Sequence, residues 1–239
     1  MTLLTICQNA ADEVGVTRPV TVVASTAPDT QKLYRYANKI GKALMQAAPW
    51  SILRAEHTFT SVASEVQTSI LPSDFDRFVV DTFWDRTQQV MFSGPTTPAQ
   101  WQALKALPYT DTYRPKFTTR AGNVLILPTW AAGDTLAFEY VSNLWALSSG
   151  GTGQSSFLAD TDTAKLNEEL ITYGVIFEFL DQAGQPSGKA GAAFRDMFDA
   201  LLKNDQPASG VVAVADIFTS SASRPYTGIP PTNGGYPWW

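Results

Sequence analysis

The chain has 239 residues, enough for one large domain or two small ones around a sizeable core. A formal net charge of -5 argues against a nucleic-acid grip that works by neutralising phosphates. Only 16% of residues are charged against 44% hydrophobic, a balance that suits a chain with much protein–protein surface.

The first region reads as helical. Thr2 is placed to cap a helix carrying Leu3, Leu4, Cys7, Ala11 and Val14 on one face, closed by Gly15. An irregular stretch, TRPVTVVAST, leads to Pro28-Asp29-Thr30, which opens a second helix. Its apolar positions Leu33, Ala37, Ile40 and Leu44 recur at helical spacing until Pro49 ends it.

From about Trp50 the period changes to two. Ile52, Arg54, Glu56, Thr58 and Thr60 alternate with Leu53, Ala55, His57, Phe59 and Ser61, and Val66–Leu71 and Phe78–Phe83 are likewise strand-like. Thr97 or Thr96 caps a short helix over Pro98–Lys105, with Pro at its first position. Strands resume at Pro115–Arg120, Val124–Leu127 and Thr135–Val141, separated by turns at Ala121-Gly122-Asn123 and Ala132-Gly133-Asp134. This spacing predicts a small antiparallel sandwich or sheet. SSGGTGQSS, residues 148–156, reads as a flexible loop.

Asp160 or Asp162 is expected to cap a long helix in which Leu166, Leu170, Tyr173, Gly174, Phe177 and Leu180 share a face. Val175, Ile176 and Phe179 make its other faces apolar too, which predicts the central, most buried helix. Gln182–Gly188 breaks it, and a last helix carries Phe194, Met197, Phe198, Leu201 and Leu202. The fold expected is α+β: a helical bundle domain from residues 1–50 and 160–205, with an antiparallel β domain, 51–159, inserted between.

Residues 206–239 are different again. Only Asp216 and Arg224 are charged, Gly and Pro recur, and the end is Tyr236-Pro237-Trp238-Trp239. After Phe218 no helical or strand period runs, yet the segment lacks the charge of a solvated disordered tail. It is expected to be an extended C-terminal arm that lies on another protein, with Tyr226, Ile229, Tyr236, Pro237, Trp238 and Trp239 as its partner-binding residues. A buried Trp removes roughly 150–250 Å² from water, about 4–6 kcal/mol at about 25 cal/mol per Å², whereas ordering backbone costs roughly 1–2 kcal/mol per residue. The tip can therefore anchor itself, but the rest of the arm needs contacts from Val211–Ile217 and Tyr226–Pro231. Fully extended, the arm would reach on the order of 110 Å.

Chemistry is hard to find. The single histidine, His57, sits in an alternating strand without nucleophile or acid partners, and reads as structural. Cys7, the single cysteine, excludes an internal disulfide and reads as a small core residue; with His57 so far away, no His/Cys metal site is expected. Asp74, Asp76, Asp81 and Asp85 lack the Gly and closing Glu of a calcium loop, and Arg77 and Arg86 can pair locally. Gly150-Gly151-Thr152-Gly153 lacks the Gly-Lys-Ser/Thr ending of a phosphate loop, and no GxSxG or HExxH appears. No catalysis, cofactor or metal is expected. No apolar run has the length of a membrane span, and MTLLTICQNAADEVGV lacks the basic start and apolar run of a secretory signal.

A set of phrases, in order, carries a resemblance. Leu71-Pro72-Ser73-Asp74-Phe75-Asp76-Arg77-Phe78 leads into Asp81-Thr82-Phe83-Trp84-Asp85-Arg86, Gly94-Pro95 and Thr97–Ala106. Leu125-Ile126-Leu127-Pro128, Ala132-Gly133-Asp134-Thr135, Phe138–Ser142 and Asp160-Thr161-Asp162 follow, before a helix ending in Phe179-Leu180. Together, over roughly residues 1–205, they resemble the SU10-type head-to-tail adaptors of short-tailed bacteriophages, similar in role to the tail tubular protein A of T7-like phages. The resemblance implies a helical core with an inserted β domain, a virion location at the head–tail junction and a ring of twelve subunits. It also implies that the ring lies between the portal protein and the tail nozzle, and that genomic DNA passes through its lumen without sequence-specific binding. Assembly in the bacterial host cytoplasm is part of the same expectation. Residues 206–239 match nothing in it. An alternative reading is a tryptophan-rich carbohydrate-binding virion protein used in host attachment, which requires an exposed aromatic row including Trp84, Trp130 and Trp145. A small hydrolase would instead need Asp74, Asp76 and Asp81 to converge in a pocket.

Overall fold

The computed structural model describes residues 1–107 and 111–205, and Met1–Asp205 form one compact unit. The expected arm, with Tyr226, Ile229, Tyr236, Pro237, Trp238 and Trp239, lies outside the described residues.

Helix α1 spans Leu3–Val14. Its first orphan N–H groups are met by the Thr2 hydroxyl, which accepts from the Thr5 amide, and its end is closed by Gly15 at φ 72°, a left-handed conformation costly for any residue with a Cβ. Helix α2, Pro28–Ala47, starts with proline at its first position and buries Leu33, Ala37, Ile40 and Leu44, the row read from the sequence. Trp50–Leu53 departs from the alternating pattern: Ser51–Leu53 is a 3-10 turn, and the Trp50 indole N–H donates to the Leu44 carbonyl at 2.7 Å. That bond satisfies one of the last carbonyls of α2 and turns the chain into the first strand.

Strand β1 (Arg54–Thr60) alternates exposed and half-buried residues. It is followed by the short strands β2 (Val66–Gln67), β3 (Phe75–Phe78), β4 (Trp84–Asp85) and β5 (Val90–Met91). Helix α3 (Pro98–Ala106) opens on a capping box, with the Thr97 hydroxyl accepting from Gln100 N and the Gln100 side chain accepting from Thr97 N. Then come β6 (Lys116–Arg120), β7 (Asn123–Leu127) and β8 (Thr135–Ser142), and the short strands β9 (Ala146–Leu147), β10 (Gly153–Gln154) and β11 (Thr163–Ala164). All pairings between these strands are antiparallel, and Ser93 adds a single parallel bridge to Lys116. One sheet runs β1-β8-β4-β5 with β3 also on β8, a second runs β2-β7-β6, and a third runs β10-β9-β11.

Three sequence readings change here. Val66–Leu71 and Phe78–Phe83 shrink to β2 and the end of β3, because their paired lengths are set by partners: β2 lies on β7, and β3 lies on β8. Residues 148–156 are not a featureless loop. They fold back as a hairpin onto β9, with Ser148 N donating to Thr152 O and Gly153 and Gln154 pairing with Leu147 and Ala146. The long helix, α4, begins at Glu168 and runs to Gln182, capped by Asn167, whose side chain accepts from Leu170 N at 2.9 Å. Asp160 and Asp162 are spent earlier. Asp160 receives the backbone N–H groups of Val22 and Val23, and Asp162 those of Leu158 and Ala159. Glu168 and Glu169 in the first turn of α4 suit its positive end.

Helix α5 spans Gly188–Asp205. α4 packs against α1, α2 and α5, so it is the most enclosed of these helices, as its all-round apolar pattern predicts. One hydrophobic cluster joins Leu3, Ile6, Leu33, Leu44, Leu170, Ile171 and Val175, with Phe194 and Phe198 of α5 packed on it. A second cluster is mostly aromatic: Phe83, Phe92, Phe117, Trp130, Phe138 and Tyr140. Ring contacts from Phe117 of β6 to Phe78 and Phe83 bring the inner faces of two sheets together. β8 enters both clusters, Val141 on the helical side and Phe138 and Tyr140 on the aromatic side. The observed class is mixed α+β.

Candidate interaction surfaces

The titratable residues singled out in the sequence are mostly consumed by the fold. Cys7 is fully buried among helix side chains, and burial, followed by the nearby Asp160 carboxylate, pushes its thiol up to about 12. His57 lies in β1 with its ring stacked on Phe59 and tilted against Phe138, at centroid distances of 6.4 and 5.5 Å. Among the described residues no group of three or more His, Cys, Asp or Glu side chains is placed to hold a metal ion.

The aspartates diverge. Asp74 accepts from the Tyr140 hydroxyl at 3.0 Å and from the Ser142 hydroxyl at 2.7 Å. Burial first, then this bond to a carboxylate, holds the Tyr140 phenol up at about 12. Asp76 pairs with Arg77 at 2.7 Å, as local spacing suggests, whereas Arg86 reaches across to Glu56 on β1 at 2.6 Å. Asp85 is fully buried and accepts from the Trp130 indole at 2.6 Å and from the backbone of Thr87 and Gln88. A buried carboxylate with three donors organises a turn. Of the three aspartates a hydrolase needs, Asp74 and Asp76 are held by these separate partners, and Asp81 alone of the three lines the wide cleft beside Trp84.

The tryptophans also separate. Trp50, Trp101, Trp130 and Trp145 are at most 6% exposed, whereas Trp84 is 43% exposed. Trp130 and Trp145 are core residues, so the aromatic row required by the carbohydrate reading is missing two of its members. The strand period signalled which faces alternate, but not which of them another sheet would cover.

Clefts also open at the surface of the described residues. A cleft of about 250 Å³ is lined by Leu44, Trp50, Ile52, Leu170, Leu201 and Asp205. Asp205, at the end of α5, accepts from Ser51 N at 2.8 Å and also holds the Ser51 hydroxyl. A wider cleft of about 520 Å³ has Ala137 and Phe138 of β8 in its lining, with Trp84 and the acidic residues Glu56, Asp81 and Glu139 around it. No local sequence signal points to this second cleft, because Glu56 and Glu139 become neighbours only through the β1–β8 register.

These features define a mixed α+β protein in which the polar side chains singled out above serve turns, caps and strand junctions. The chain belongs to the SU10 adaptor protein family, whose sequence model matches residues 1–215, and so is a bacteriophage head-to-tail adaptor. Adaptors of this family are structural components of the virion, and the chain is expected to act through contacts with other virion components. No curated protein matches the chain. Among the described residues no helix is long and apolar enough to cross a membrane.

Proposed function

We propose that this chain forms the adaptor ring between the portal and the tail nozzle of a short-tailed phage and continues the channel through which DNA is ejected. The observation that carries the reading is the family match over residues 1–215, nearly the whole chain. Packing of α1 and α2 against α4, which stands far along the sequence, agrees with a helical bundle drawn from residues 1–50 and 160–205, with 51–159 as an inserted β domain. In this reading the ring has twelve copies. The portal protein sits above it and the nozzle, or a tail tubular protein, below.

The net charge of -5 fits a channel that lets DNA slide, since every phosphate neutralised by the wall adds affinity and drag. Adaptor chains assemble in the host cytoplasm once the head is filled, and join the portal as a template. Residues 206–239 serve as the arm, anchored by Tyr236, Pro237, Trp238 and Trp239, with Tyr226 and Ile229 as further contacts. Binding orders such a segment only when a surface is offered, which confines ring formation to the portal and limits premature polymerisation.

Deletion of Ser220–Trp239 tests the arm. The truncated chain is expected to keep its folded circular dichroism spectrum but to lose portal or neighbour binding in pull-down. Unchanged pull-down together with unchanged ring assembly removes the arm from the mechanism. Electron microscopy of particles, showing the chain's position and copy number, decides the ring reading itself.

A further inference from the structure

The wide cleft beside Trp84 opens on the face of the β1-β8-β4-β5 sheet that carries Glu56, Ala137 and Glu139. Strand alternation puts Arg54, Glu56 and Thr58 of β1 on the face opposite Ala55, His57 and Phe59. On β8, Ala137 and Glu139 alternate with the core residues Leu136, Phe138 and Tyr140. Trp84 pairs with Ala137, whose small side chain leaves space beside the indole. Glu56 stands directly opposite Glu139 in the ladder, an arrangement of like charges that destabilises a sheet in isolation. Arg86, which also lines the cleft, pairs with Glu56. Asp81 and Glu139 make no ion pair among the described residues. An exposed indole flanked by unneutralised carboxylates suits a guanidinium, which can lie on the ring face and bond carboxylates in the same plane.

The chain carries such a group on its other β layer. In β6 the Phe117 side chain enters the aromatic core, so Lys116, Thr118 and Arg120 lie on the face turned away from it. Arg120 is exposed beside the turn Ala121-Gly122, where both residues have positive φ, 48° and 75°, as in a tight two-residue hairpin. It makes no ion pair among the described residues. The face of β6 that carries Arg120 is covered at Thr118, which is buried and donates to Thr96 O, so Arg120 is exposed as the tip of the hairpin and stands apart from the residues that line the acidic aromatic cleft. Complementary patches on different faces join copies head to tail, and such contacts close into rings when the rotation permits.

We infer that the Trp84–Asp81–Glu139 cleft of one copy receives the Arg120 hairpin tip of the next, forming a neighbour contact of the assembled ring. This rests on the ring reading above. Arg120 inserts beside Trp84 and relieves the Glu56–Glu139 repulsion, and the contact sets the polarity of the ring.

The test uses the full chain incubated with purified portal rings of its phage, with assembled adaptor copies counted by electron microscopy and mass measurement. Arg120→Glu and Glu139→Arg are each expected to lower assembly at least ten-fold, with unchanged circular dichroism spectra. The double variant, carrying both substitutions in one chain, is expected to recover most of the loss, because each interface then meets a swapped pair. Trp84→Ala should weaken assembly without rescue by either charge change. If wild-type rings form and both single variants assemble equally well, the contact is refuted and the ring reading stands. If the single variants fail and the double variant is not rescued, the cleft serves another virion protein and self-docking is refuted. If Trp84→Ala instead abolishes binding to a glycan array, a carbohydrate occupies the cleft and the inference fails. If the wild-type chain forms no ring on its portal, the ring reading falls and this inference with it.

Discussion

The helical cluster and the aromatic cluster bury side chains by opposite strategies. In the helical one, backbone comes close: the Trp145 ring lies against Gly41 of α2 so closely that a Cβ there would overlap the indole, and a Cβ on Gly174 of α4 would come within 2.6 Å of Ile40. In the aromatic one, ring meets ring, with Phe83 stacked on Phe92 at 4.6 Å and edge-on to Phe117 at 4.8 Å. Close backbone approach gives a rigid fit that tolerates no added atom. Rings meeting rings keep their area when one of them changes shape, so the β region should forgive substitutions that the helices do not.

The largest expected effects test that contrast directly. Trp145→Ala empties a fully buried site whose indole N–H donates to Ser155 O at 2.8 Å, and should cost about 3–5 kcal/mol in urea unfolding. Gly41→Ala should cost about 1–3 kcal/mol or more through overpacking, whereas Phe83→Leu should stay near or below about 1.5 kcal/mol. A Gly41→Ala chain as stable as the wild type would dissolve the distinction.

Alkaline pH reads each cluster through its own group. The folded state holds the Cys7 thiol protonated up to about 12 against an ordinary value of 9.0, and the Tyr140 phenol up to about 12 against 10.0. The unfolded chain therefore binds fewer protons above pH 9, so stability is full below pH 9 and declines between pH 9 and 12. For Cys7 the loss amounts to at most about 4 kcal/mol. Cys7→Ala should flatten the decline from pH 9 and Tyr140→Phe the part above pH 10, as measured by denaturation midpoints across that range.

Arg77 sharpens the comparison from the other side, because it joins the two regions. From β3 it donates to the carbonyls of Met45 and Ala48, at 3.1 and 2.8 Å, at the end of α2. A cation there satisfies orphan carbonyls and suits the negative end of the helix. Arg77→Ala should cost about 1.5–3 kcal/mol, and Arg77→Lys should restore only part of it. If near-ultraviolet signals from the β region and far-ultraviolet helix signals still melt together in Arg77→Ala, other contacts carry the coupling.

Much of the helical part was legible because caps and periods are local. Thr2 and Gly15 bound α1, Thr97, one of two candidate caps, opens α3 before Pro98, and the apolar row from Leu33 to Leu44 faces the core as its spacing requires. The strands were legible as strands but not as partners. Val66–Leu71 looked as good as β1 until its pairing with β7 limited it to Val66 and Gln67. Asp160 and Asp162 looked like helix caps because an acid before an apolar run normally is one, yet their bonds go to N–H groups at Val22, Val23, Leu158 and Ala159. The arm residues, from Tyr226 to Trp239, remain a reading of composition.

By itself, then, the sequence determined the class, the helices, the buried row of α2, the alternation of β1 and the absence of a recognisable catalytic motif, whereas α4 buries Ile171, Val175, Ile176 and Phe179 more deeply than the expected Tyr173, Phe177 and Leu180. These follow from local rules: a cap acts within one turn, and a period is a property of neighbouring residues. Only the tertiary structure decided that Glu56 faces Glu139, that Trp84 is exposed while Trp130 and Trp145 are buried, and that Arg77 reaches the end of α2. Each depends on strand register or on which sheet covers which face. A shift of one residue in register would exchange every inward side chain for an outward one, and no local signal fixes it.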